Sequence, residues 1–112
     1  MATAEQLRQA ALALEGTVEA PHFDRTTAFK VSRIYATLAP DGLTANLKLS
    51  VDEQEFKCLL APRAFAAVPN AWGRQGWTTA KLAELSQPEL TNALETAWRH
   101  ALPRRKALSR KT

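Results

Sequence analysis

Apolar residues return at helical spacing in three stretches of this chain and at alternate positions through most of what lies between. After Thr3, the residues Leu7, Ala10, Ala11 and Leu14 make one face of a helix that Gly16 ends. A shorter helix follows Ser50, with Phe56, Leu59 and Leu60 expected to point inward and Pro62 to stop it. The longest follows Ser86, where Leu90, Ala93, Leu94, Ala97, Trp98 and Ala101 form a buried stripe before Pro103. All three open on a Ser or Thr followed three residues later by Glu or Gln: Thr3 with Gln6, Ser50 with Glu53, Ser86 with Glu89. Each pair can close a capping box over the free amide donors of a helix start.

Between the first two helices the period changes to two, and Thr17 to Phe23, Thr27 to Val31, Ile34 to Leu38 and Leu43 to Leu49 read as strands. Ser32-Arg33 would join Val31 to Ile34, and Ala39-Pro40-Asp41-Gly42 would join Leu38 to Leu43. The pairing that follows places Phe29, Val31, Ile34, Ala36, Leu38, Leu43, Ala45, Leu47 and Leu49 toward the helices. Lys30, Tyr35, Thr37, Thr44, Asn46 and Lys48 face away. A further strand, Gly76 to Leu82, adds Thr78, Ala80 and Leu82 to the core side and Trp77, Thr79 and Lys81 to the outside. The expectation is an α+β fold, an antiparallel sheet of about five strands with the N- and C-terminal helices packed on one face.

At 112 residues the chain is one small domain, read as residues 1–102, with a basic and flexible tail over 103–112. No apolar run approaches the roughly 20 residues of a membrane span, and the N-terminus lacks the order of a secretion signal, so a cytoplasmic protein is expected. A single cysteine, Cys58, excludes an internal disulfide framework and any multi-cysteine metal site. The net charge of +4 is a property of the C-terminus: Arg99, Arg104, Arg105, Lys106, Arg110 and Lys111 are 6 of the 15 basic residues, leaving 9 against 11 acids and a net −2 before Arg99. Such a tail can add sequence-independent phosphate contacts or serve only as a solvated end.

The motifs Val18-Glu19-Ala20-Pro21-His22-Phe23, Ala28-Phe29-Lys30-Val31, Ile34-Tyr35-Ala36-Thr37-Leu38, Asn46-Leu47-Lys48-Leu49-Ser50 and Trp72-Gly73-Arg74-Gln75-Gly76-Trp77-Thr78 occur in this order. The set resembles the MmcQ/YjbR family of small bacterial proteins, whose fold is similar to that of CyaY. Ser32-Arg33 departs from the glycine-containing turn usual there. The resemblance implies a CyaY-like α+β fold and, since the family is described as DNA-binding from structural similarity, a DNA partner without catalytic activity. The iron chemistry of CyaY does not carry over, because its acidic ridge is matched here only by Glu5 and Glu15 in the first helix.

On the residues themselves, the outer sheet face is the main candidate for binding. Tyr35 and Trp77 offer flat surfaces for stacking, and Lys30, Lys48 and Lys81, with Arg33 and Arg74 at the edges, offer charge for phosphates. The alternative is an ordinary solvated face with lysine stems lying along the rings. In the Trp-Gly-Arg-Gln-Gly-Trp segment, Arg74 and Gln75 could reach phosphate or a base edge while its glycines admit a ligand. Equally, Trp72 could plug the core and the glycines merely permit tight turns, and for Trp72 the core role is expected.

His22, Glu19 and Asp24 do not converge on an extended strand, and two histidines without a ligand repeat predict no metal site. Cys58 beside Leu59 and Leu60 reads as a small buried hydrophobe. No cofactor fingerprint is present. The sequence therefore predicts a monomeric, non-enzymatic DNA-binding module acting through Lys30, Arg33, Tyr35, Lys48, Arg74, Gln75, Trp77 and Lys81. The alternative is a module for a protein partner or small ligand on the same face.

Overall fold

The computed structural model describes residues 1–22 and 25–103. Phe23 and Asp24, and the tail from Arg104 to Thr112, lie outside the described residues.

The elements run α1 (Ala4–Leu12), β1 (Val18–Pro21), β2 (Thr27–Lys30), β3 (Ile34–Leu38), β4 (Thr44–Lys48), α2 (Val51–Leu60), β5 (Phe65–Ala67), α3 (Ala71–Arg74), β6 (Trp77–Lys81) and α4 (Gln87–Ala101). All three capping boxes form, each with the cap hydroxyl on the backbone of the third helical residue and the Gln or Glu side chain on the cap's own N–H. The strands make a six-stranded antiparallel sheet in the order β1-β2-β3-β4-β6-β5. The core lies between one sheet face and α1 and α4, where Leu7, Leu90 and Leu94 meet Phe29, Leu47 and Leu49. Among the described residues no helix is long and apolar enough to cross a membrane.

The sixth strand is β5, which three residues behind Pro62-Arg63 are too few to announce by alternation. It pairs only with β6 and would leave an open edge, which α2 covers. The Ala67 backbone N–H reaches Cys58, and the Lys57 ammonium lies 5.5 Å from the Phe65 ring centroid. This placement reverses the expected face of α2. Gln54 is its buried residue, Lys57 and Cys58 are half-buried, and Phe56, Leu59 and Leu60 are exposed.

The second departure is in β3. Phe29 pairs with Ala36 but Lys30 pairs with Ile34, so Tyr35 is an extra residue. This bulge turns Tyr35 and Ala36 together toward the helices and leaves Ile34 on the outer face. Tyr35 is therefore a core residue, not a stacking platform. Its hydroxyl shares a 2.8 Å hydrogen bond with Thr17 Oγ1 and donates to the Ala11 carbonyl at 3.4 Å. The next turn also differs. Thr37 pairs with Asn46 and not Thr44, the loop closes through Ala39 N–H to the Thr44 carbonyl, and Leu43 stands exposed in it. Because that shift is two residues, the faces of β4 stay as the alternation places them.

Tyr35→Phe removes those hydroxyl contacts from a buried site and is expected to cost about 1 kcal/mol in urea unfolding. Burial raises the Tyr35 pKa above the ordinary 10.0, with the Thr17 bond acting weakly in the other direction. Folding therefore favours the neutral phenol: its contribution is intact below pH 10.0 and is lost as pH rises through the folded value. The phenylalanine variant should lack this alkaline loss, and a series of melts across that range checks it.

Candidate binding site on the outer sheet face

On the face away from α1 and α4, the β4–β6 ladder presents three cross-strand pairs: Lys48 with Trp77, Asn46 with Thr79, and Thr44 with Lys81. The Thr79 hydroxyl donates to Asn46 Oδ1 at 2.8 Å, which engages the amide oxygen and leaves the nitrogen end as donor. Beside these pairs lies a concavity of about 520 Å³. Ile34 and Val68 supply apolar wall, Thr26, Thr37 and Thr44 supply hydroxyls, and Trp72 and Trp77 supply the rings. His22 also lines it, its backbone N–H held by the Thr26 carbonyl at 2.8 Å. Among the described residues no Asp, Glu, Lys or Arg lines this space.

Trp72 comes from α3, a single helical turn. The Asn70 side chain caps that turn by accepting the Trp72 N–H at 2.9 Å. Trp72 is 58% exposed, so it borders the concavity and does not plug the core. The glycines around it serve internal packing. A Cβ on Gly73 would meet the Val68 carbonyl and one on Gly76 the Leu49 carbonyl, so neither offers its backbone to a ligand. What locks the segment is Gln54, buried in α2, whose amide nitrogen donates to the carbonyls of Gly73 at 3.0 Å and Trp77 at 2.9 Å.

Gln54 thus ties both tryptophan-bearing elements to one helix, a role no local pattern signals because its partners lie 19 and 23 residues away. Gln54→Leu should cost about 1–2 kcal/mol, since both carbonyls keep one other partner. It should also shift the indole resonances of Trp72 and Trp77, and a two-dimensional spectrum beside a urea titration reports both effects.

Residues 12–100 match the family model YjbR. The chain belongs to the YjbR family. A solved structure, the DR2400 protein of Deinococcus radiodurans with its DUF419 domain, is similar to it with a TM-score of 0.72 and 25% identity, over 87% of this chain and 76% of that one. DUF419 is the YjbR/MmcQ family. No curated protein matches.

On this YjbR fold the expected site residues separate. Trp77 lines the concavity, with Lys48 directly across from it and Lys81 across from Thr44, at opposite ends of one ladder. Partial burial, then the nearby Arg33 charge, hold the Lys48 ammonium below its ordinary pKa, with Glu53 pulling the other way. Arg33 is spent on the helix side, donating to the His100 carbonyl at the end of α4. Lys30, Arg74 and Gln75 are exposed but stand outside the lining, and Tyr35 is absent from this face. Glu19 pairs with Arg8 at 2.8 Å, and no three potential metal ligands gather among the described residues. Burial raises the Cys58 thiol above its ordinary pKa, a setting that disfavours a nucleophile.

Proposed function

We propose that this YjbR protein is a non-enzymatic module for single-stranded DNA that holds an unpaired base in the outer concavity. The observation that carries it is the pairing of two tryptophans with a hydroxyl- and amide-bearing hollow that no Asp, Glu, Lys or Arg lines and that has a lysine in register at each end. A base is flat, neutral and edged with donors and acceptors, so it matches rings, threonine hydroxyls and the Asn46 amide. Phosphates on either side fall to Lys48 and Lys81. A paired duplex keeps its bases stacked and would not enter.

A second reading takes a free heteroaromatic metabolite in the same place, and a lining without Asp, Glu, Lys or Arg favours it. Tryptophan-fluorescence titrations with a single strand, a duplex and a free nucleoside, each at two salt concentrations, separate the two. The DNA reading predicts single-strand binding with a modest salt slope of about −1.4, as two phosphate contacts give. Binding of the nucleoside as tightly as the strand, with no salt dependence, would establish the metabolite reading instead. Equal binding of duplex, or loss of all binding on truncation after Leu102, would sink both.

A further inference from the structure

We propose that two copies of this chain pair through the outward face of α2, packed antiparallel about a two-fold axis. The face lies on the helix side of the sheet, so the inference stands apart from the outer concavity. α2 reaches across to α4 through Lys57 Nζ, which donates to Asn92 Oδ1 at 3.3 Å. Its outward stripe is Phe56, Leu59 and Leu60, 63%, 76% and 69% exposed, at the three- and four-residue spacing that makes one continuous surface. No other helix of the fold presents three adjoining large apolar side chains among the described residues. Ala66 and Ala67 of β5, the strand that α2 packs against, are also exposed.

The charges around the stripe point to a second copy as the occupant. Asp52 and Glu55 are exposed at its N-terminal end, and Arg63 is exposed just past its C-terminal end. Two such helices laid antiparallel, with Phe56 of each copy against Leu59 of the other, set Asp52 of each copy beside Arg63 of the other. The same operation opposes the helix dipoles. A parallel arrangement would instead set the acids of one copy against the acids of the other. The three apolar side chains expose on the order of 350 Å², the size of the largest patch on a typical monomer. Two such patches with their rims approach the ~1,200 Å² at the small end of specific interfaces, which sets the expectation of a weak, concentration-dependent dimer.

Sedimentation equilibrium of the full chain, from micromolar to millimolar and under reducing conditions so that Cys58 forms no cross-link, provides the test. The mass should rise from 12.3 kDa toward twice that value. Leu59→Arg should weaken association at least about tenfold while leaving the melting temperature close to that of the parent, since the side chain is exposed. Asp52→Arg and Arg63→Asp should each weaken it about threefold or more, and the double exchange should return to within about twofold of the parent. A mass fixed at 12.3 kDa throughout would overturn the proposal. So would an association that Leu59→Arg leaves intact, or a double exchange no better than either single change, because both place the contact elsewhere.

Discussion

Gly76→Ala is expected to destabilise the protein by about 3 kcal/mol or more. Gly76 has a φ of +107°, a region that residues with a side chain avoid. It is also wedged against β4. Its carbonyl accepts the Leu49 N–H at 3.1 Å and the Thr78 hydroxyl at 3.0 Å, and an added Cβ would strike the Leu49 carbonyl, which is backbone and cannot swing aside. Relief requires parting the ends of β4 and β6, the two strands that carry Lys48 and Trp77. Such a loss is a large share of the roughly 5–15 kcal/mol that holds a domain of this size. The melting temperature should fall by on the order of 10–20 °C. A drop of only a few degrees would mean that the strand ends yield more readily than their hydrogen bonds imply.

Trp72→Ala should cost about 1–2 kcal/mol of stability and weaken binding of a single-stranded oligonucleotide by roughly 5- to 150-fold, the worth of about 1–3 kcal/mol for one stacked base. The limited cost in stability follows from exposure. More than half of the Trp72 surface already meets solvent, so folding recovers less than half of what a fully buried tryptophan would give. Its ring nevertheless borders the concavity together with Trp77. Tyr35→Phe supplies the contrasting case, a change that costs stability and leaves affinity alone, because the phenol faces Thr17 and Ala11 from inside the core. Parallel urea and fluorescence titrations of the two variants measure both quantities. Equal affinity in Trp72→Ala and parent would remove that ring from the site.

What the sequence disclosed and what it concealed follow the range of the interaction responsible. A capping box is closed by residues three apart, so Thr3, Ser50 and Ser86 mark their helices without reference to the rest of the chain. The faces of β4 and β6 were equally plain, since regular alternation sorts Leu47 from Lys48 and Ala80 from Lys81. One bulge was enough to exchange Ile34 and Tyr35 between the faces, and strict alternation has no means of announcing it. With α2, the spacing of Phe56, Leu59 and Leu60 identifies an apolar side but not whether this chain's own core lies against it. Here the core side is set by Gln54, whose partners are long-range carbonyls. Trp72 departs for the same reason: a large aromatic is a core residue by default, and only the one-turn helix capped by Asn70 carries it outward.

The base is proposed to bind in the outer concavity, and not at the helix layer or the tail. The three tryptophans allow one spectrum to decide it. Trp72 and Trp77 border the concavity, while the Trp98 indole N–H donates to the Glu15 carbonyl at 2.9 Å on the helix side. In a nitrogen–proton correlation spectrum recorded while a short single-stranded oligonucleotide is added, the Trp72 and Trp77 indole signals should move together to saturation while Trp98 stays in place. Movement of Trp98 alone, or binding that leaves all three signals unmoved, would contradict it.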